Sequence, residues 1–295
     1  MGLKKAEDAG ELLQKTLRKN QNSGMDCEMK IGIVGSGVMG AGIAQTCVQA
    51  GYQVSLYDVN HETAKQAAAK IAAKLDEEQK ERLQICRELK DLAGCSLLIE
   101  AATEKQDVKQ GIFRELEQVV AEDAVLATNT SGISITAIAS ACRFRSRVIG
   151  LHFFNPPTRM PLVEVVSGLE TASEVREAAC RFVKSLSKKP VQAKDIPGFV
   201  VNRILTPMLN EAMTLLESGV ASREDIDEAI KLGLGHPMGP LQLSDLIGLD
   251  TLLYFMEDLY RQTGSDRYRP SNLLRQLVAA GHLGRKTGKG FYEYR

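Results

Sequence analysis

The stretch "IGIVGSGVMGAGIA", residues 31–44, limits the folds open to this chain more than any other. A short apolar run leads into glycines at 35, 37 and 40, and the segment that follows favours helix. Between a strand and a helix, each glycine has a steric task. Gly35 permits the tight turn, Gly37 lets backbone approach a pyrophosphate, and Gly40 lets the helix pack close to the strand. The helix that opens at Val38 and Met39 points unpaired N–H groups at a phosphate. A carboxylate is then expected at the end of the next strand, and Asp58 stands 18 residues past Gly40. It can accept from both hydroxyls of an adenosine ribose and would repel a 2′-phosphate, so NAD is favoured over NADP. FAD uses the same crevice and stays open on this feature alone. So does an ordinary strand–turn–helix with an incidental aspartate.

The rest of the chain agrees with such a start. Strand patterns are expected at 30–34, 53–57, 96–99, 124–127, 148–151, 163–166 and 190–193. Helical ones are expected at 38–50, 107–119, 133–142 and 173–186, and residues 62–90 are rich in helix formers. Strands alternating with helices of this length are the mark of a mostly parallel sheet. At "KDIPGFVVNR" the character changes. The segments 199–217, 223–232, 242–262 and 272–280 read as helices, and the first repeats its apolar residues with a 3.6-residue period. The expected fold class is α/β, a Rossmann-type, mostly parallel sheet domain over 29–194 followed by an all-helical domain over 195–295. Residues 1–28 read as a flexible N-terminal extension or a short surface helix.

Charge and cysteine usage exclude other classes. Acidic and basic residues number 37 each, which argues against a general attraction to nucleic acid or an anionic membrane. No apolar run reaches the length of a spanning helix. Six cysteines without a close pair and only four histidines give neither a redox pair nor a metal-ligand cluster. The expectation is a cytoplasmic chain that binds no metal, no nucleic acid and no membrane.

Polar residues at strand ends carry the candidate chemistry, because ligands lie outside the carboxyl ends of the strands in such sheets. "ATNTSGIS" supplies Asn129, Thr130 and Ser131, and "LHFFNPP" supplies His152. Glu164 lies inside the apolar run "MPLVEVV", where a carboxylate is costly unless paired. An imidazole would pair with it, and histidine accepts a proton near neutral pH. His152 and Glu164 are therefore a candidate base and its orienter. The alternatives are a satisfied core histidine and a glutamate on a solvated edge. Asn202, near the start of the first helix of the second domain, has Leu205 and Leu209 on its own face. It reads either as a buried amide in need of partners or as a surface asparagine.

The motifs "GSGVMGAGIA", "LIEAATEKQDVK", "ATNTSGISI", "GLHFFNPPTRMPLVEVV", "DIPGFVVNRI", "GLGHPMGPLQLSDLIGLD" and "LGRKTGKGFYEY" follow one another from about residue 29 to the end. In order and spacing the chain resembles the short-chain L-3-hydroxyacyl-CoA dehydrogenases, most of all their bacterial 3-hydroxybutyryl-CoA type. The resemblance implies NAD as cofactor, an acyl-CoA substrate and a homodimer formed through the helical domain. It implies His152 as catalytic base, Glu164 as its orienter, Ser131 on the substrate oxygen and Asn202 near the same region. It also implies Asp58, Glu104 and Lys109 at cofactor positions, with Lys109 a candidate for the phosphates of either ligand.

One departure stands out against the resemblance. The family carries a longer region between its second and third strands, where it caps coenzyme A, and the corresponding residues here, 66–95, are short. The serine and lysine of that cap have no counterpart by motif. Two other readings keep the same build. Hydroxyacid dehydrogenases that use a lysine on the interdomain helix are disfavoured, because "PGFVVNRILTPMLNEAM" has none. A non-catalytic relative is disfavoured because Ser131, His152, Glu164 and Asn202 are all retained.

Overall fold

In the computed structural model, residues 27–294 are described. The strands are β1 (Cys27–Val34), β2 (Tyr52–Tyr57), β3 (Leu83–Ile85), β4 (Leu97–Glu100), β5 (Val125–Thr128), β6 (Val148–Phe153), β7 (Leu162–Ser167) and β8 (Lys189–Lys194). They form one sheet in the order β3-β2-β1-β4-β5-β6-β7-β8. All neighbours are parallel except β6 and β7. Residues of β4, β5 and β6 are buried along their whole length, as apolar central strands covered on both faces should be. The edge strand β8 carries lysine at both ends and Pro190 near its start, residues suited to a strand with one unpaired side.

Helices α1 (Val38–Gln49), α2 (His61–Ala72), α3 (Glu77–Glu81), α4 (Gln106–Val119), α5 (Ile135–Ala139) and α6 (Ser173–Ser185) belong to this first unit. Alternate strand residues feed two cores, one on each face. Leu97 and Ile99 pack with α1, α2 and α6, whereas Leu98 packs with α4 and α5.

Three expectations from sequence are corrected. Residues 62–90 are not one helical region. Asp76 caps α3 in a reciprocal box with Gln79, and Leu83–Ile85 pairs with Val54–Leu56 as the edge strand β3. The helix expected at 133–142 is only α5, because the Ser134 hydroxyl accepts from Ala137 N–H and starts it late. The helix expected at 242–262 is two helices. Gly248, with φ +100°, ends one and begins the next.

The described chain divides into two compact units between Phe199 and Val200, a few residues later than the sequence suggests. Residues 195–199 are held in the first unit. The Asp195 carboxylate accepts from Ser134 Oγ and from the N–H groups of Ile135 and Thr136, and Phe199 is buried in the core with Phe113 and Leu126. The expected extension over 1–28 lies, apart from the first residues of β1, outside the described residues.

The second unit consists of α7 (Val201–Glu217), α8 (Arg223–Leu234), α9 (Pro240–Ile247), α10 (Leu249–Thr263) and α11 (Asn272–Ala279). They enclose a core that includes Leu209, Met213, Leu241, Leu252, Met256 and Leu274. Two buried aspartates tie down its C-terminal segment. Asp245 accepts from the N–H groups of Phe291 and Tyr292 and from the Tyr294 hydroxyl, and Asp227 accepts from the Tyr292 hydroxyl. No helix among the described residues is long and apolar enough to cross a membrane.

Candidate active site

The sheet order places β1 between β2 and β4, so the connections leave β1 and β4 in opposite directions. Such a switch point leaves a crevice at the carboxyl ends of the strands. A cavity of about 670 Å³ opens there, lined by Gly35, Gly37 and Asp58 and by one face of α4. Gly35 has φ +99°, and a Cβ on it would come 2.7 Å from Ala101 O. A Cβ on Gly40 would stand 1.9 Å from Gly35 O, so the close helix-to-turn packing admits no side chain. A Cβ on Gly37, by contrast, would meet nothing within 4 Å. It would project into open space at the start of α1, where backbone is bare.

The N-terminus of α1 has no side-chain cap and no acidic residue in its first turn. Its first N–H groups are left for an external acceptor, and the helix dipole favours an anion there. Val38 opens the helix and is 75% exposed, while Met39 lies half-buried against the core. Asp58 is set in place before any ligand arrives. Its Oδ2 accepts from Ser36 N–H at 2.7 Å and Ser36 Oγ–H at 2.8 Å, and its Oδ1 accepts from Asn60 N–H at 3.0 Å. A glycine cradle, an open helix N-terminus and an oriented carboxylate fit the pyrophosphate and ribose of a dinucleotide. Beside them the Tyr57 hydroxyl is harder to ionise than usual, first through burial and then through the nearby Glu115 and Asp58 carboxylates.

The ends of β4, β5 and β6 are joined by a second network. Glu100 is 0% exposed and accepts from Ala102 N–H at 2.6 Å, Thr128 Oγ–H at 2.7 Å and Lys109 Nζ at 2.8 Å. Lys109, on α4, also lies 3.3 Å from Glu104. Glu104 in turn accepts from Thr130 Oγ–H at 2.6 Å and Ser131 N–H at 2.8 Å, which fixes the turn that carries Ser131. Asn129 Oδ1 accepts from Phe153 N–H at 2.8 Å and ties this turn to the strand of His152.

Lys109 therefore departs from the expectation of a phosphate contact. It is 1% exposed and its ammonium is engaged by two carboxylates, which leaves no face for a phosphate. Sequence reading also missed Glu100, which looks like a mere strand end, and Ser36, hidden among the glycines. The signal for Glu100 was its charge at the end of an all-apolar strand, the same signal that singled out Glu164.

His152 and Glu164 face each other directly across the antiparallel β6–β7 pair. Cross-strand partners of this kind share a sheet face and bring their side chains together. His152 Nδ1 lies 2.7 Å from Glu164 Oε2, with Glu164 0% and His152 4% exposed. The rings of Phe154 and Phe199 lie 4.5 Å and 5.7 Å from the imidazole, centroid to centroid. The loop after His152 returns to α1, where a Cβ on Gly42 would come within 2.8 Å of Pro157. Asn202 is the second residue of α7, in the second unit, and is half-buried.

The chain matches two family models. One, described as 3-hydroxyacyl-CoA dehydrogenase, NAD binding domain, covers residues 30–196, and the other, 3-hydroxyacyl-CoA dehydrogenase, C-terminal domain, covers residues 198–294. It is 46% identical to the 3-hydroxybutyryl-CoA dehydrogenase of Bradyrhizobium diazoefficiens over 90% of this chain and 95% of that protein. It is 43% identical to the 3-hydroxybutyryl-CoA dehydrogenase of Clostridioides difficile over 90% and 99%. Among solved structures, the (S)-3-hydroxybutyryl-CoA dehydrogenase of Ralstonia eutropha superimposes with a TM-score of 0.87 at 45% identity, covering 90% of this chain and 99% of that one. Both domain models in order along one chain, over a nucleotide crevice of this form, establish that the chain belongs to the 3-hydroxyacyl-CoA dehydrogenase family, an NAD-binding family.

Proposed function

We propose that this chain oxidises (S)-3-hydroxyacyl-CoA thioesters, 3-hydroxybutyryl-CoA foremost, to 3-ketoacyl-CoA, and reduces acetoacetyl-CoA in the reverse direction. The observation that carries the reading is the buried 2.7 Å contact between His152 Nδ1 and Glu164 Oε2. An ionised carboxylate can only accept, so Nδ1 carries the hydrogen and Nε2 keeps its lone pair. In oxidation Nε2 takes the proton of the 3-hydroxyl. Glu164 fixes the ring and faces the imidazolium that results. The Ser131 hydroxyl donates to the same substrate oxygen, on which negative charge grows in the transition state. Thr130, Glu104 and Lys109 hold the Ser131 turn, so little reorganisation is needed when charge develops. NAD, when bound, supplies the hydride acceptor at its nicotinamide.

The names of the relatives support a short acyl group, and the short region 66–95 agrees with a modest cap over the carrier. Asn202 is assigned to the substrate on the strength of the resemblance. The first unit, ending at Phe199, takes the role of NAD binding, and the second, from Val200, those of substrate binding and homodimer formation. The dimer role is likewise assigned on the strength of the resemblance. A cytoplasmic location fits the soluble thioester substrate.

The test is consumption of NADH at 340 nm with acetoacetyl-CoA, with longer 3-ketoacyl-CoAs and with free acetoacetate. Acetoacetyl-CoA should give the highest kcat/KM. A rise with every two carbons up to ten would overturn the short-chain reading. Equal rates with free acetoacetate would remove coenzyme A recognition. NADH binding without turnover on any of them would leave a binding protein in place of an enzyme.

A further inference from the structure

Glu115 is a carboxylate that the reaction does not use. It lies on α4 and lines the nucleotide cavity together with Val108, Gly111 and Ile112. The spacing 108, 111, 112 and 115 is that of one helix face. That face runs about 10 Å from Val108 to Glu115. Tyr57, Val59 and Leu89 add apolar surface to the lining of the same cavity. Two residues on, Glu117 is held by Arg143 N–H, Phe144 N–H and Arg147. Among the described residues no hydrogen bond or ion pair holds Glu115 in that way.

Gly111 adds an independent observation. Glycine inside a helix costs about 1 kcal/mol relative to alanine. At many helix positions tight packing explains such a glycine, but a Cβ here would meet nothing within 4 Å. The space it leaves belongs to the cavity. A flat group can therefore lie against bare helix backbone at Gly111, beside Ile112, with its edge toward Glu115.

We propose that Gly111 and Glu115 form the base-recognition end of the cofactor cavity, with the Glu115 carboxylate accepting a hydrogen bond from the exocyclic 6-amino group of adenine. The proposal rests on the dinucleotide reading of this cavity. Asp58 meets the ribose and Glu115 the base, so one cavity holds two carboxylates with separate tasks. A 6-oxo purine presents an acceptor where adenine presents a donor, and a carboxylate disfavours it. Polar sites discriminate most strongly in this way, by leaving a group unpaired.

The test is titration of the intact chain with NADH and with its hypoxanthine analogue, read by fluorescence of the reduced nicotinamide. Wild type should bind NADH about tenfold more tightly than the analogue. Glu115→Gln should narrow this to about twofold, since an amide can donate to the 6-oxo group, while the preference for NADH over NADPH persists at Asp58. Gly111→Leu should weaken both dinucleotides about equally, with no loss of helix content by circular dichroism. Equal wild-type affinities, or a tenfold preference kept in Glu115→Gln, would overturn the proposal. Absence of binding by either dinucleotide would overturn the dinucleotide reading itself.

Discussion

Replacing Lys109 by methionine separates a structural ammonium from a ligand contact. Methionine preserves much of the length and volume but removes the charge. Glu100 would then remain 0% exposed with only Ala102 N–H and Thr128 Oγ–H as partners. Removing one member of a buried ion pair costs about 3–5 kcal/mol, because the other charge stays desolvated. The two remaining donors place this case toward the lower end. For a unit of this size each kcal/mol lowers Tm by about 2–4 °C, so the loss should be about 10 °C. Calorimetry or circular dichroism of the full chain measures it. The double variant Glu100→Gln, Lys109→Met removes both charges and should recover at least half of the loss, since the pair is coupled. A direct phosphate contact predicts a different result. Tm would stay within about 2 °C of wild type while NADH affinity fell. That pattern would refute the assignment of Lys109 to Glu100 and Glu104.

Three further outcomes are expected. His152→Gln should keep the fold and NADH binding but slow hydride transfer by roughly 10²–10⁴. Glu164→Gln should be slow as well, and single-turnover rates near wild type in the histidine variant would remove His152 from the chemistry. Asp58→Ala should erode the preference for NADH over NADPH, measured as the ratio of dissociation constants, and a wild-type preference for NADPH would defeat its assignment. Alkaline pH should destabilise the protein. Burial raises the Cys95 thiol to about 11 and the Cys142 thiol to about 12, and burial together with the Asp245 carboxylate raises the Tyr294 hydroxyl to about 12. The folded state thus keeps protons that the unfolded chain releases near pH 9–10. Their contribution is whole below pH 9 and is lost as pH rises through 11 to 12. Urea midpoints that stay level between pH 8 and 11 would contradict this.

The sheet was legible because its strands announce themselves. Runs such as Leu97–Ile99 and Val148–Leu151 are short and wholly apolar, as central parallel strands must be. The edges were not. Strand β3 has only three residues, with Gln84 in the middle, and exists because β2 offers it a parallel partner. Helix-forming composition around it says nothing of that tertiary partner. The helix break at Gly248 was hidden by strong apolar periodicity on both sides. The compact units divide just after the punctuation at "IPG", because Phe199 is claimed by the core of the first unit.

The site was legible wherever a residue carries a cost that only a partner relieves. Glu164 sits in an apolar strand, and its burial demanded a counterpart, which the register of β6 and β7 supplies in His152. Glu100 carries the same cost and could have been found by the same argument, but its relief comes from Lys109 on a helix nine residues later. The sequence places that lysine among other charged residues, Lys105 and Asp107, which lie on solvated positions. A charge on an amphipathic helix looks like surface until the strand ends beneath it are known. The physical consequence is that the Ser131 turn is supported from below by a buried pair rather than by its own hydrogen bonds alone. The position of the Ser131 turn depends on Glu100 and Lys109 beneath it, through Glu104. A change at Glu100 or Lys109 should therefore reach the chemistry through the position of Glu104 and Ser131, with stability and turnover falling together.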